Sequence, residues 1–187
     1  MKFNKTLVIL AIISSIFLAC SNDEDPVVIN EEEVITTVRA TLIPKNGGAT
    51  INLKSVDLDG DGPNTPIVTV SGSLSSNTSY SGTLKILNET ENPADNITLE
   101  ILEEDEDHQF FFLFTNNIAT TTYQDQDANG DPVGVQFDLL TGPAATGDFI
   151  ITLRHQPNKG GNNVNNGEIT NAGGETDVQV TFNLNIN

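Results

Sequence analysis

The sequence predicts an all-β protein, an antiparallel β-sandwich of the immunoglobulin-like or Greek-key type with about eight to ten strands. Three observations support this prediction. From Val34 onward, apolar and polar residues alternate with a period of two. Clusters of Gly, Asn, Asp and Pro separate the alternating runs at short intervals, as turns between strands require. No stretch has a convincing helical period, so we expect strands throughout.

The C-terminal run alternates most strictly, because every second residue from Val178 to Ile186 is apolar and the intervening residues are polar. The same pattern predicts strands in TTVRATLI, YSGTLKIL, ITLEIL, VGVQFDLL and FIITLRH. HQFFFLFT is apolar on both faces, which predicts a central strand covered on each side. The Asn- and Gly-rich segment 156–177 is long for a connection between strands, and we expect a mobile flap rather than a binding loop.

The first 19 residues have the features of a lipoprotein signal peptide. Lys2 and Lys5 precede an apolar run, residues 7–18, that is too short to cross a bilayer as a stable helix. Cys20 is the only cysteine and follows Leu18-Ala19, an arrangement that resembles the lipobox of bacterial lipoproteins. Ordinary secretion is the alternative, but a lone thiol in an exported chain needs a reason, and lipidation supplies one. We therefore expect an acylated Cys20 that anchors the protein in the lipid bilayer.

The predicted domain organisation has three parts. Residues 1–19 form the signal peptide, residues 20–33 the lipidated cysteine with an acidic tether, and residues 34–187 a single β-sandwich domain. The acidic stretch directly after Cys20 resembles the surface-export signal of lipoproteins in the Bacteroidetes group, and a solvated spacer is the alternative. The expected localisation is the outer membrane, on its periplasmic side or at the cell surface.

The charge of the chain limits its partners. There are 26 acidic and 8 basic residues, and two of the basic residues, Lys2 and Lys5, precede Cys20. Six basic residues therefore face all 26 acidic residues after Cys20, a net charge of −20. Such a surface repels phosphate backbones, so nucleic acid is a poor partner, and cations are the natural counter-charge. A protein or cell-surface partner is not identified by the sequence.

A first aspartate-rich loop, VDLDGDGPNTP, predicts a calcium site. Asp57, Asp59 and Asp61 have the spacing of positions 1, 3 and 5 of an EF-hand-type loop, and Gly62 stands at the turn position 6. A polar turn is the alternative, because Asp, Asn, Gly and Pro are also the residues of hairpin turns. Three alternate aspartates repel one another, however, unless a cation lies between them.

A second copy of the pattern occurs in DQDANGDP, where Asp125, Asp127 and Asn129 precede a glycine. Neither copy has the bidentate Glu at position 12 or the flanking helices of an EF-hand. A calcium site would therefore borrow a carboxylate from elsewhere, either from Asp148 or from the acidic run 103–107.

The two histidines are candidates for a transition-metal site. His108 begins the Phe-rich strand, and His155 ends the strand FIITLRH. In an antiparallel pair the start of one strand meets the end of its neighbour, so the two side chains could approach each other. With Glu106 nearby, they could bind a transition metal. A strand-end histidine that serves only the structure is the alternative.

Several motifs together resemble a small family of uncharacterised lipoproteins from flavobacteria. They are the lipobox followed by SNDEDP, then DLDGDGP, LNETENP, EEDEDHQFFF, LRHQPNK and ITNAGGETDVQVTF. The resemblance covers nearly the whole mature chain and implies no established activity. Members often carry the label "type 1 periplasmic binding fold", a two-lobed α/β architecture, whereas the strand-rich sequence predicts a sandwich instead.

The sequence favours a binding or structural protein over an enzyme. It has no nucleophile elbow, P-loop or HExxH motif, and lipidation would leave no free thiol. The leading hypothesis is a lipid-anchored, non-enzymatic sandwich with a structural or adhesive role that uses calcium in its aspartate loops. The alternative is an accessory protein that binds a ligand or a transition metal through His108 and His155.

Overall fold

A computed structural model describes residues 34–60 and 62–187. The predicted signal peptide, the lipidation site Cys20, the tether and Asp61 lie outside the described residues. Within the described residues the chain forms nine strands and one α-helix. They are β1 (Thr37–Pro44), β2 (Ile51–Val56), β3 (Ile67–Val70), β4 (Ser79–Leu87), α1 (Ile97–Glu103), β5 (His108–Phe114), β6 (Ala119–Tyr123), β7 (Gln136–Thr141), β8 (Ala145–His155) and β9 (Glu175–Ile186).

The strands form two antiparallel sheets that pack face to face, which confirms the predicted all-β sandwich. The larger sheet has the order β3-β2-β1-β4-β7-β6, and the smaller sheet has the order β5-β8-β9. Strands β1, β2 and β3 are consecutive hairpins, and β4 returns to pair with β1. This 4-1-2-3 arrangement is a Greek key.

The core lies between the sheets and is built from the alternating apolar residues of the sequence. In β1 the inward residues Val38, Ala40 and Leu42 are at most 1% exposed. In β9 the inward residues Phe182 and Leu184 are fully buried, and Asn183 between them is exposed. The period of two therefore predicts the buried face correctly in both sheets, because successive side chains of a strand point to opposite faces.

Helix α1 corrects the prediction that ITLEIL is a strand. Ile97 and Ile101 are both buried, and they lie four residues apart on one helical face. The hydroxyl of Thr98 accepts a hydrogen bond from the Ile86 backbone N–H, which attaches the helix to β4. Six residues fit either period, so tertiary packing decides between helix and strand here. Among the described residues, no helix is long and apolar enough to cross a membrane.

Strand β5 lies at an edge of the smaller sheet, so the prediction of a central position for HQFFFLFT is wrong. Its outer face is covered instead by the segment that follows β8. That segment contains two 3-10 turns, Val164–Asn166 and Ile169–Asn171. Val164 is fully buried and packs with Phe111 of β5 in a second, smaller hydrophobic cluster. The outer face of β5 is therefore covered at Phe111 by a loop rather than by a neighbouring strand, whereas Leu113 on the same face is exposed.

The outer edge of the larger sheet is formed by β3, which has only four residues. Ile67 is 69% exposed and Val68 is 43% exposed, so this edge carries apolar side chains in solvent. Pro66 directly precedes the strand.

We expect Gly82→Ala to destabilise the protein by about 1–3 kcal/mol. Gly82 of β4 is paired with Phe137 of β7, and a Cβ atom at position 82 would lie within 3.0 Å of the buried Phe137 ring. Urea denaturation monitored by circular dichroism measures the change in the free energy of unfolding. Gly160→Ala is the matched control, because the nearest atom to its added Cβ is 3.7 Å away. An equal effect of both substitutions would contradict this packing.

Candidate metal centre

The structure brings the two histidines together, as antiparallel pairing of their strands predicts. His108 and His155 are direct register partners in the β5–β8 ladder. Their rings stack with centroids 4.8 Å apart and planes inclined by 10°. The side chain of His108 is 1% exposed and that of His155 is 14% exposed. The pair therefore lies at one end of the smaller sheet, with His155 nearer to solvent.

A third polar group, the carboxylate of Asp177, faces both rings. Its Oδ2 atom lies 4.0 Å from Nε2 of His108, and its Oδ1 atom lies 3.9 Å from Nδ1 of His155. The side chain of Asp177 is 15% exposed. Two imidazoles and one carboxylate are a ligand set that zinc and other divalent transition metals accept.

An irregularity in β9 places Asp177 there. Leu153 pairs with Val178, whereas the next residue of β8, Arg154, pairs with Thr176. Asp177 is thus the extra residue of a β-bulge in β9, because it lies between the register positions of Leu153 and Arg154. A bulge turns a side chain away from the face that strict alternation assigns to it. Alternation assigns Asp177 to the outer face with Gln179, which is why the sequence did not predict its role.

A hydrogen bond made by Nδ1, the ring nitrogen that does not face Asp177, orients the ring of His108. Nδ1 of His108 lies 3.1 Å from the backbone carbonyl oxygen of Glu104, and a carbonyl can only accept a hydrogen bond. Nδ1 therefore carries the proton, and Nε2 is the nitrogen that faces Asp177. Metal-binding histidines are commonly oriented in this way, with one nitrogen donating to a backbone carbonyl and the other available to the metal.

The ligand atoms of the three residues would have to move slightly closer together to bind an ion. One ligand atom from each of the three residues lies within 4.8 Å of the others. Donors about 2.1 Å from a tetrahedral zinc ion are roughly 3.4 Å apart, so the group would close by about 1 Å. His155 is the last residue of β8.

Glu106, the predicted third member of the site, does not join the histidines. Its side chain is exposed in the turn between α1 and β5. Among the described residues, the three-residue group that could hold a metal consists of His108, His155 and Asp177.

The first aspartate loop closes on itself at Asp59. Oδ2 of Asp59 accepts hydrogen bonds from the backbone N–H and the side-chain amide of Asn64. The Asn64 backbone N–H is the main cause of the lowered pKa of Asp59, which keeps this carboxyl ionised. Asp57 lies at the end of β2, where its Oδ1 atom is shielded from solvent. Because Asp61 lies outside the described residues, calcium at this loop stays a prediction.

The second aspartate loop is organised by hydrogen bonds to its carboxylates. The two carboxylate oxygens of Asp125 accept from the backbone N–H groups of Gly134 and Gln136. Oδ1 of Asp127 accepts from the backbone N–H of Asn129 and from that of Asp131. These are the contacts of a polar turn. Calcium at Asp125, Asp127 and Asn129 also stays a prediction, although Asp127 already has a cationic partner.

That partner is Lys159, from the loop that covers β5. Its Nζ atom donates to Oδ2 of Asp127 at 2.8 Å and to the backbone carbonyl of Asp105. The Lys159 side chain is 6% exposed and the Asp127 side chain 1%, so the ion pair is buried. Burial opposes ionisation of Asp127, but the hydrogen bonds from Lys159 and from the Asp131 N–H lower its pKa overall. The pair fastens the loop to the second aspartate turn.

We expect Lys159→Met to cost about 3–5 kcal/mol of stability at neutral pH, because it leaves Asp127 buried without a counter-charge. The double variant Asp127→Asn/Lys159→Met should recover most of this loss. Urea denaturation of the wild type and both variants measures it. A loss below about 1 kcal/mol, the value typical of exposed pairs, would show that the pair does not hold the loop.

The same pair predicts a pH dependence. Because the folded-state pKa of Asp127 is lowered, its contribution to stability is fully present above the unfolded-state pKa, about 3.9, and is lost as the pH falls through the folded value. Loss of Lys159 removes a cause of this lowering, so the stability difference between the wild type and Lys159→Met should narrow as the pH falls from 7 toward 3. A constant difference from pH 7 to pH 3 would contradict this assignment.

Comparison with models of known protein families found no match, and neither the curated proteins nor the solved structures contain a chain with significant similarity. The functional assignment of this protein therefore depends on the geometry of its own side chains, and above all on His108, His155 and Asp177.

Proposed function

We propose that this protein is a lipid-anchored, non-enzymatic accessory protein that binds a divalent transition-metal ion through His108, His155 and Asp177. The observation that carries the proposal is the convergence of one atom from each residue within 4.8 Å, at the end of the smaller sheet. Three protein ligands would leave at least one coordination position for water or for a ligand delivered with the metal.

The orientation of His108 favours a cation between the three side chains. With its proton on Nδ1, His108 has an unprotonated Nε2 atom that lies 4.0 Å from a carboxylate oxygen of Asp177. Two electron-rich groups at this distance repel each other, and the repulsion is stronger in a buried site than in water. A metal ion bound by Nε2 and by the carboxylate would replace this repulsion with attraction to both groups.

The stacking of the two rings favours a metal over protons. Protonating both imidazoles would place two positive charges about 4.8 Å apart, which is unfavourable in a site that has one carboxylate. One divalent ion satisfies both nitrogens and Asp177 together. The net charge of −20 after Cys20 also raises the local concentration of cations around the protein.

The proposed place of action follows from the N-terminal sequence. The apolar run 7–18, the small Ala19 and the single Cys20 support acylation, and two or more acyl chains anchor a protein stably. The tether after Cys20 would keep the sandwich within reach of the membrane, on the periplasmic side of the outer membrane or at the cell surface.

Zinc should stabilise the protein through this site. At a free concentration of 100 times the dissociation constant, binding to the native state alone adds about 2.7 kcal/mol, or roughly 5–10 °C in Tm. His155→Ala and Asp177→Asn should each abolish most of this shift. Differential scanning fluorimetry with zinc, magnesium and calcium measures it, and magnesium should have little effect because it prefers oxygen ligands.

Glu106→Gln is the matched control for these variants, because it removes a carboxylate near His108 in sequence but outside the proposed ligand set. This variant should keep the full zinc shift. A zinc shift that persists in His155→Ala, or that disappears in Glu106→Gln, would overturn the assignment. A calcium-specific shift that Asp59→Asn removes would instead support the predicted calcium loop.

Lipid anchoring is tested separately. Cys20→Ser should release the protein from the membrane fraction, because the thiol that would carry the acyl chains is gone. Membrane and soluble fractions of cells that express each form are compared by immunoblotting. Equal membrane association of the variant and the wild type would show that Cys20 does not anchor the protein.

A further inference from the structure

Two of the three candidate metal ligands stand at the two ends of the loop that joins β8 to β9. His155 is the last residue of β8, and Asp177 is the third residue of β9. In the register of the two strands His155 pairs with Glu175, two residues before Asp177. The distance between the two ligand side chains therefore depends on how closely the start of β9 approaches the end of β8.

Gly174, the residue directly before β9, makes that close approach possible. A Cβ atom at this position would lie 2.3 Å from the backbone carbonyl oxygen of His155 and 2.9 Å from that of Gln156. Both are backbone atoms, so no side chain could rotate away to make room. A Cβ atom essentially never lies within 3.0 Å of such an atom, so an alanine would push the two segments apart by roughly 0.7 Å, the difference between 2.3 and 3.0 Å.

The end of β8 is fixed on its other side and cannot simply move away from such a contact. The Gln156 backbone N–H donates to the carbonyl oxygen of Asp107 at 2.6 Å, which ties the end of β8 to the residue before β5. The ring of His155 also stacks on that of His108. An added Cβ atom would therefore displace the start of β9, and Asp177 with it, relative to the two histidines.

Arg154 holds the start of β9 in this place. Its Nη1 atom donates to the hydroxyl oxygen of Thr176 at 2.8 Å and to the backbone carbonyl oxygen of Gly174 at 3.4 Å. Thr176 directly precedes the bulge residue Asp177. The guanidinium therefore fixes the backbone from which Asp177 projects.

We infer that Gly174 and Arg154 are positioning residues of the metal centre. Gly174 lets β9 approach His155 closely, and Arg154 keeps Asp177 at the resulting distance. Neither residue belongs to the ligand set itself. The inference rests on the proposed metal-binding function, because it assigns how that site obtains its geometry. Replacing a residue that orients a metal ligand commonly lowers metal affinity about 10- to 100-fold.

Gly174→Ala and Gly173→Ala form a matched pair that tests the role of the glycine. Gly173 has a φ of 61° and Gly174 a φ of 68°, so an alanine brings similar left-handed backbone strain at either position. Only at position 174 does the Cβ atom meet another part of the chain, since that at position 173 has open space around it. Calorimetric titration of the full-length protein in detergent should show zinc affinity lowered about 10- to 100-fold in Gly174→Ala and less than about threefold in Gly173→Ala. Equal affinities of the two variants would overturn the inference.

Thr176→Val tests the role of Arg154 and keeps the inference testable if Gly174→Ala does not fold. Valine has the shape of threonine but lacks the hydroxyl that accepts from Arg154, and the charge of the site is unchanged. Loss of this hydrogen bond should weaken zinc binding about three- to tenfold. Thr181→Val is the control, because Thr181 is an exposed residue of the same strand away from the bulge. An unchanged zinc affinity in Thr176→Val would overturn the assignment of Arg154.

A measurement without metal separates this inference from the proposed function. In the metal-free protein, nuclear Overhauser contacts between the β-protons of Asp177 and the ring protons of His155 should be present in the wild type and in Gly173→Ala. They should be weaker or absent in Gly174→Ala. If these contacts change as expected but zinc does not bind the wild type, the proposed function fails and the positioning role is upheld. If zinc binds the wild type and Gly174→Ala alters neither the contacts nor the affinity, the positioning role alone fails.

Discussion

Contact between phenylalanine rings holds the smaller sheet on the larger one, and the rest of the structure depends on this packing. Phe112 of β5 lies 4.5 Å from Phe137 of β7 and 5.9 Å from Phe149 of β8, measured between ring centroids. Because a slip of one residue would turn these rings out of the core, the packing also maintains the register of β5 with β8. That register places His108 opposite His155. The candidate metal centre is therefore a consequence of core packing rather than of a loop.

The sequence predicts the parts of the molecule that depend on local alternation. The inward face of β1 and the meeting of the two histidines follow from a period of two and from antiparallel pairing. It does not predict helix α1, since the six residues ITLEIL satisfy both periods and contact with β4 decides between them. It also misses Asp177, because a bulge breaks the alternation that the prediction uses.

The neighbours of a carboxylate determine whether it has a structural role or is a candidate metal ligand, as Asp127 and Asp177 show. Asp127 is surrounded by donors: two backbone N–H groups and the ammonium of Lys159. Its charge is neutralised within the chain, and the result is a fastened loop. Asp177 instead faces two imidazoles, which together with its carboxylate form a ligand set for a transition metal. No spacing rule applied to the sequence distinguishes the two, because Lys159 reaches Asp127 from 32 positions along the chain.

The short edge strand β3 bears on the tendency of this protein to self-associate. An exposed strand edge with apolar side chains such as Ile67 is a template on which another copy can add a strand. Four residues give such a template little length, and Pro66 removes the backbone N–H donor directly before them. Net negative charge adds repulsion between copies. A protein concentrated in two dimensions by a lipid anchor would need this protection more than one diluted in bulk solvent, since neighbouring edges would meet often.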